Sequence, residues 1–302
     1  MPLAPEYEAM FAAAAEQEAP ALSDLPPEAG REVYRMMRPL EPDLSVGSVS
    51  DEDASGVPVR VYQPSQAGPN PVVVFYHGGG WVIGDLDTAD AACRDLCESC
   101  SVVVVSVDYR LAPEHVYPAA VEDSYQALEW VANSQEALGG NGQIVVAGES
   151  AGGNLAAVVA LKARDNDGPA IAGQLLLYPV VDSAMDRDSY ERNGDGYLLT
   201  TETMRWFWNH YCPEDARTQP DVAPLRAASH ADLPPAIVVT AEFDPLCDEG
   251  AAYVSALADA GSSAELMAFD GLVHDFFATA RLFACSREAV NAVYARLNAL
   301  LG

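Results

Sequence analysis

The amino-acid sequence predicts an α/β fold built on one mostly parallel sheet with helices on both faces. The chain has 302 residues, and 50% of them are hydrophobic, which suffices for one large domain with a small addition or for two modest domains. From residue 71 onward, apolar runs rich in Val, Ile and Leu alternate with segments of helical periodicity. Near-continuous apolar strands separated by helices are typical of a parallel sheet that is buried on both faces.

Eight apolar, β-branched runs are the candidate strands, and they cover residues 44–50, 57–63, 71–76, 101–107, 143–147, 172–178, 236–241 and 264–269. Helical periodicity predicts helices over about 86–99, 118–136, 151–165, 247–260 and 280–300. No helix separates the first two strands, so we expect them to form an antiparallel hairpin at one edge of the sheet. An exposed last strand at the other edge would allow a homodimer to form.

Two segments interrupt this alternation. Residues 1–40 read as helix, Pro-rich turn and helix, and residues 183–225 are an insertion with an aromatic helix around 203–212. Neither segment would bury its apolar face alone, so we expect them to pack together as a small helical cap, the alternative being a frayed terminus and a long loop. Residues 41–182 and 226–302 are then the two parts of the α/β domain.

The charge of the chain disfavours two classes of partner. It carries 45 acidic and 16 basic residues, a net charge of −29, which opposes electrostatic binding to nucleic acid or to an anionic membrane surface. The first twenty residues contain no Lys or Arg, unlike the start of a signal peptide, and no stretch of some twenty apolar residues occurs anywhere. We therefore expect a soluble cytoplasmic protein.

Three of the six cysteines have a suggestive spacing. Cys93, Cys97 and Cys100 read C-x3-C-x2-C, which certain iron–sulfur enzymes use to hold a cluster. The same positions, i, i+4 and i+7, also share one face of a helix. Because this segment lies between a loop and an apolar strand, as a covering helix would, the buried-face interpretation is favoured. We expect neither a metal nor an organic cofactor.

A candidate nucleophile follows the strand at 143–147. The sequence GESAGG, residues 148–153, is a G-x-S-x-G pattern between a strand and a helix, which places Ser150 at a tight, strained turn with its hydroxyl exposed. A phosphate-binding loop would need a lysine that is missing here, and the glycine pattern of a dinucleotide fold is missing after the first strand. The context therefore indicates a nucleophilic serine.

A nucleophilic serine needs a base and an acid that orients the base. His274, one of five histidines, follows the last predicted strand, at the edge of the sheet where Ser150 also lies. Where the nucleophile lies in a G-x-S-x-G turn between a strand and a helix, the acid lies between serine and histidine along the chain. Asp244, which follows the seventh predicted strand, has this position. Asp248 lies a turn further on, where the helix dipole explains an acid. The rival acids Asp270 and Asp275 flank the histidine.

The sequence HGGGW, residues 77–81, directly follows a predicted buried strand. This glycine-rich loop is the candidate site at which the negative charge of an acyl-transfer intermediate would be stabilised. The backbone N–H groups of Gly78, Gly79 and Ala151 are candidate donors for the oxyanion, since preorganised backbone donors need no rearrangement. We expect a side chain at 78 or 79 to impair catalysis more than folding. His77 is interpreted as a structural residue that shapes this loop.

The chain resembles the hormone-sensitive lipase family of α/β-hydrolases, in its bacterial family IV esterase branch. The residues that carry the resemblance are HGGGW (77–81), DYRLAPEHVYPAA (108–120), GESAGG (148–153) and DPLCDEG (244–250), followed by His274. The resemblance implies an α/β-hydrolase fold with an eight-stranded, mostly parallel sheet and a helical cap. It also implies a triad of Ser150, Asp244 and His274, an oxyanion hole of Gly78, Gly79 and Ala151, and a structural turn at RLAPEH.

The implied activity is that of a serine carboxylesterase acting on small-molecule esters. Trp81 and the cap aromatics Tyr197, Trp206, Phe207 and Trp208 could enclose a limited pocket for short to medium acyl chains, although packing within the cap is the commoner role of such residues. A non-catalytic ligand-binding module would be expected to lose His274. An acyltransferase or amidase would keep the whole triad, so the sequence leaves these activities open.

Two positions depart from the usual family pattern. Glu149 stands where aspartate is commoner, and Asp275 follows the histidine where glycine is frequent. Both lie beside the predicted triad, where they could alter the pKa of the histidine or the shape of the acyl pocket.

Overall fold

The computed structural model describes residues 2–16, 20–41 and 43–302. The strands are β1 (Ser48–Asp53), β2 (Pro58–Gln63), β3 (Asn70–Tyr76), β4 (Val103–Val107), β5 (Gly140–Glu149), β6 (Gly173–Leu177), β7 (Ala236–Phe243) and β8 (Ala264–Val273). The helices are α1 (Pro5–Ala15), α2 (Pro27–Met37), α3 (Leu86–Cys100), α4 (Ala119–Asn133), α5 (Ala151–Asp165), α6 (Asp188–Arg192), α7 (Thr201–Tyr211), α8 (Cys247–Asp259) and α9 (Ala284–Leu301). None of the helices in this described part of the chain combines the length and the apolar character that a membrane span requires.

The strands form one sheet in the order β1-β2-β4-β3-β5-β6-β7-β8. β2 pairs antiparallel with β1 and with β4, and every other neighbouring pair is parallel. The predicted mostly parallel sheet and the predicted edge hairpin are therefore confirmed. β1 begins at Ser48 rather than at residue 44, and all its side chains are exposed. Its position depends on hydrogen bonds to β2, which an apolar pattern cannot reveal.

Helices cover both faces of the sheet, as predicted. Along β3 the side chains alternate, so that Val72, Val74 and Tyr76 belong to one apolar core while Val73 and Phe75 belong to the other. The first core is completed by α4, α5 and α8, and the second by α3 and α9. All five strand residues are buried, which explains the continuous apolar run in the sequence.

The buried-face interpretation of the three spaced cysteines is confirmed. Cys93, Cys97 and Cys100 are buried free thiols on the side of α3 that packs against the sheet. Burial raises the pKa of Cys97 and of Cys100 to about 12, which keeps both thiols protonated at neutral pH. These cysteines therefore act as small apolar core residues.

The two segments that interrupt the strand–helix alternation contact each other. The ring of Phe11 in α1 packs edge-on against Tyr197 in the insertion, with 5.9 Å between ring centroids. α1 also contacts the α/β domain, because the buried Tyr7 hydroxyl lies 2.8 Å from the hydroxyl of Ser286 at the start of α9. The division of the chain at residues 40, 182 and 225 stays a prediction.

Candidate active site

Ser150 occupies the turn between β5 and α5 in a conformation that is rare for a residue with a side chain, with φ 54° and ψ −114°. The neighbouring glycines are required by close packing. A Cβ atom at Gly152 would lie 1.9 Å from the carbonyl oxygen of Tyr76, and one at Gly148 would lie 2.3 Å from the backbone of Gly152. The strained turn predicted from G-x-S-x-G is thus present, at the carboxyl end of a central strand.

The structure brings Ser150, Asp244 and His274 together although they are far apart in the sequence. The Nε2 atom of His274 lies 3.1 Å from Ser150 Oγ, and its Nδ1 atom lies 2.7 Å from Asp244 Oδ2. Asp244 is fully buried, and its other carboxylate oxygen accepts a hydrogen bond of 2.8 Å from the N–H of Leu246. The three residues predicted as nucleophile, base and acid therefore form one continuous chain of hydrogen-bond contacts.

The acidity of His274 reflects two opposing effects. Burial alone would lower its pKa, because a charged imidazolium is poorly solvated there. The adjacent Asp244 carboxylate attracts the imidazolium and accepts its hydrogen bond, so the pKa of His274 is raised above its usual value. The Asp244 contact also orients the ring so that Nε2 faces the serine.

In the part of the chain that the structure describes, none of the alternative acids forms a hydrogen bond with His274. Asp270 is exposed on β8, and Asp275 forms an ion pair with Arg38. Asp248, at the start of α8, accepts a 2.8 Å hydrogen bond from the N–H of Ser189 in the cap insertion and pairs with Arg192. Asp248 thus joins the insertion to the α/β domain, a contact that the helix-dipole interpretation did not predict.

The glycine loop after β3 faces the same site. No hydrogen-bond acceptor among the described residues takes the backbone N–H of Gly78, Gly79 or Ala151. His77 shapes this loop, because its Nδ1 atom lies 2.7 Å from the carbonyl oxygen of Gly78 and its ring stacks on Tyr109 at 4.2 Å. Burial lowers the pKa of His77 to about 4, so the ring is neutral at physiological pH.

The geometry at Gly79 argues against the expectation that a side chain there would impair catalysis more than folding, which stays a prediction. Gly79 has φ +109°, and a Cβ atom there would lie 2.2 Å from the carbonyl oxygen of Ile83. A side chain at 79 would therefore disrupt the loop itself. At Gly78 the nearest atom, the carbonyl oxygen of Glu149, would be 3.4 Å away, which is an ordinary contact, so the expectation stays a prediction for Gly78.

A cavity of about 300 Å³ opens above Ser150 and His274. Among the aromatic residues that were predicted to enclose it, Phe207 lines the cavity, whereas Trp81 is buried and stacks on Tyr211 at 4.2 Å. The sequence interpretation missed the apolar lining that comes from the first 40 residues and from the loop before α7. These residues include Leu22, Leu25, Val33, Tyr34, Leu198 and Leu199.

Similarity to known proteins agrees with this arrangement. A family described by its alpha/beta hydrolase fold matches residues 73–278, which is most of the chain. The chain belongs to the α/β-hydrolase family. Both the α/β-hydrolase fold and the resemblance to the hormone-sensitive lipase branch are thereby confirmed.

Curated relatives of this α/β-hydrolase are named as esterases. It is 42% identical over 86% of its length to the carboxylic ester hydrolase LipN of Mycobacterium tuberculosis, of which it covers 70%. It is 38% identical over 78% of its length to the ethyl acetate hydrolase of Pseudomonas putida, of which it covers 76%.

Solved structures show the same overall architecture. A thermostable esterase from Pseudomonas putida ECU1011 superposes with a TM-score of 0.95 at 37% identity, covering 100% of this chain and 98% of that one.

Proposed function

We propose that the protein is a serine carboxylesterase that hydrolyses short to medium acyl esters of small molecules. The observation that carries this proposal is the chain of contacts from Asp244 through His274 to Ser150, at 2.7 and 3.1 Å, beneath a largely apolar cavity. Relatives that are named as ester hydrolases support the same reaction.

In the proposed reaction, His274 Nε2 takes the proton of the Ser150 hydroxyl as Oγ attacks the ester carbonyl carbon. Asp244 stabilises the imidazolium that forms, without taking the proton itself. The tetrahedral intermediate collapses when the imidazolium donates its proton to the departing alcohol, which leaves an acyl-serine. Water, deprotonated by the same histidine, then attacks the acyl-serine. The bond from the acyl carbon to Oγ breaks as the imidazolium returns its proton to Oγ, which releases the acid and restores Ser150.

The negative charge of each tetrahedral intermediate would be stabilised by the N–H groups of Gly78, Gly79 and Ala151. No acceptor in the described chain uses these donors, so they are available at no cost in broken hydrogen bonds. Removing one donor of this kind typically lowers the rate about 100- to 1000-fold. Since the proposed steps use side-chain and backbone groups alone, we expect activity without an added cofactor.

The size of the cavity supports the substrate class. A volume of about 300 Å³ suits a small ester. Aliphatic side chains of Leu22, Leu25 and Val33 line the side contributed by the first 40 residues, so the acyl portion would be held by apolar contacts.

The test is hydrolysis of p-nitrophenyl esters from acetate to laurate by the wild type, Ser150→Ala and the control Ser255→Ala, whose hydroxyl is exposed on α8. We expect a maximum at short to medium chains, loss of activity in Ser150→Ala and wild-type activity in the control. A folded wild type that hydrolyses none of the esters would refute the proposal. Preferential turnover of p-nitroanilides, or acyl transfer to added alcohols that exceeds hydrolysis, would reassign the reaction.

We also propose that the protein is cytoplasmic and that β8, at the edge of the sheet, permits homodimer formation. Side chains of β8 alternate between exposed and partly buried over most of its length. Cell fractionation tests the location, and the molar mass measured by light scattering tests the dimer. Recovery in a membrane or exported fraction, or a monomer mass at all concentrations, would refute the respective proposal.

A further inference from the structure

Three charged side chains, Arg38, Glu149 and Asp275, form a cluster beside the catalytic residues. A guanidinium nitrogen of Arg38 lies 3.0 Å from Glu149 Oε2, and another pairs with Asp275 Oδ1. The Arg38 and Glu149 side chains are 8% and 1% exposed, whereas that of Asp275 is 23% exposed. This cluster, here called the Arg38 cluster, is therefore largely buried, and a buried charge must be compensated by its neighbours.

The Arg38 cluster joins three distant parts of the chain. Arg38 directly follows α2 in the N-terminal segment, Glu149 precedes Ser150, and Asp275 follows His274. Each carboxylate is thus one peptide unit away from a residue of the proposed triad. The guanidinium is planar and offers several donors, so one arginine can bind both carboxylates at once, which a lysine does less well.

The cluster also explains the two departures from the family pattern. Glu149 and Asp275 are the two positions at which the sequence differs from the usual blocks, and both carboxylates bind the same guanidinium. Two carboxylates this close to each other would repel without a cation between them. The ring of Tyr34, one turn earlier in α2, packs against Arg38, with the guanidinium carbon 4.9 Å from the ring centroid.

We propose that Arg38 is a positioning residue for ester hydrolysis. It fixes the position of the segment bearing Ser150 relative to the segment bearing His274, and it neutralises the two carboxylates beside these residues. The inference rests on the proposed function and assigns to the N-terminal segment a part in the chemistry beyond lining the cavity. Arg38 touches neither the serine nor the proposed substrate position, and it acts through Glu149 and Asp275.

The electrostatic consequence can be read from the groups around the cluster. Arg38 faces Tyr34, Glu149 and Asp275, and His274 faces Asp244, Asp275, Glu149 and the ring of Tyr178. The negative charges of Asp275 and Glu149 favour the imidazolium and raise the pKa of His274. Without Arg38, the buried Glu149 carboxyl, whose pKa burial already raises, takes up a proton more readily, whereas the partly exposed Asp275 carboxylate is left uncompensated. The charge of Asp275 then keeps the histidine protonated, and hence inactive as a base, to a higher pH.

The experiment measures kcat/KM for p-nitrophenyl acetate from pH 5 to 9, because its acid limb reports the pKa of the base in the free enzyme. The variants are Arg38→Met, Arg38→Lys, Asp275→Asn and the matched control Arg35→Met. Arg35 lies in the last turn of α2, just before Arg38, and pairs at the surface with Asp85, at 2.5 Å. Asparagine suits position 275 because φ is 69° there, a conformation that Asn tolerates.

We expect Arg38→Met to lose about 10-fold or more in kcat and to move the acid limb upward by about half a pH unit or more. Arg38→Lys restores the charge but bridges the carboxylates less well. We therefore expect the acid limb of the pH profile to return toward its wild-type position while kcat stays low. Asp275→Asn removes a negative charge and should move the limb downward. Arg35→Met should match the wild type.

A purely structural role predicts a different pattern, in which Arg38→Met loses activity equally at every pH and the limb stays in place. That result, or a limb that fails to move downward in Asp275→Asn, would overturn the proposal. If Arg38→Met does not fold, Arg38→Lys decides, because lysine keeps the charge but bridges the two carboxylates less well, and a wild-type kcat in Arg38→Lys would then overturn the proposal. An inactive wild type would instead refute the esterase function, so the two failures are distinguishable.

Discussion

Adjacent glycines in the loop after β3 differ in what they tolerate, and this difference gives a quantitative prediction. The changes are Gly79→Ala and, as its matched control, Gly78→Ala. Each adds one methyl group to the same loop, and each leaves the backbone N–H in place. They separate two reasons for the presence of glycine, namely backbone conformation at 79 and space for a ligand at 78.

The magnitude at Gly79 has two parts. A φ of +109° is unfavourable for any residue with a Cβ atom and costs about 1–3 kcal/mol. The Cβ atom would also lie 2.2 Å from the carbonyl oxygen of Ile83, so the backbone must shift, and overpacking typically costs about 1–3 kcal/mol more. We therefore expect Gly79→Ala to reduce the free energy of unfolding by about 4 kcal/mol. Gly78→Ala, whose nearest contact is 3.4 Å, should lose less than about 1 kcal/mol.

The assay is thermal unfolding followed by circular dichroism, together with kcat for p-nitrophenyl acetate. At about 2 °C for each kcal/mol in a chain of this size, Gly79→Ala should lower Tm by about 8 °C and Gly78→Ala by less than about 2 °C. Gly78→Ala should still lose about 10-fold or more in kcat, because position 78 lines the cavity and carries one of the proposed donors. Equal Tm values for the two variants would refute the conformational argument.

Three further predictions concern buried polar groups. Asp244→Asn should lower kcat about 10⁴-fold, because the amide no longer holds the productive tautomer of His274; a pre-steady-state burst of wild-type size would contradict this. Burial raises the pKa of Glu249 to about 8, so its contribution to stability is present below the unfolded pKa and is lost as pH rises through 8. Glu249→Gln should therefore flatten the decline in Tm between pH 5 and 8, and an unchanged slope would count against the shift. Tyr7→Phe loses two hydroxyl contacts, one of them with Ser286, and should reduce the free energy of unfolding by about 1–2 kcal/mol in urea titrations; a change below about 0.3 kcal/mol would contradict it.

Apolar periodicity predicted the central sheet well because parallel strands are buried on both faces. β3, β4 and β6 are nearly or completely buried, so their sequences are uninterrupted apolar runs with clear ends. The strands at the edges were predicted less accurately. β1 has only exposed side chains, and β8 runs to Val273 through a partly exposed segment, beyond the predicted end at residue 269. Backbone pairing, rather than burial, determines the ends of such strands.

The sequence by itself determined the chemistry of the candidate site, because its key residues directly follow strands that end at one edge of the sheet. Ser150 lies within a local pattern, and Asp244 and His274 could be selected by their position after β7 and β8. The choice of Asp244 over Asp275 rested on chain order, whereas in the structure it rests on a 2.7 Å contact.

Only the tertiary structure decided which residues from outside the strand ends join the site. Arg38 is separated from Glu149 by 111 residues and from Asp275 by 237, and nothing in the local sequence around 38 distinguishes it from the neighbouring Arg35. The same holds for the cavity lining from the N-terminal segment and for the strain at Gly79. Each depends on a contact with a distant residue or on a backbone angle, and local sequence patterns specify neither.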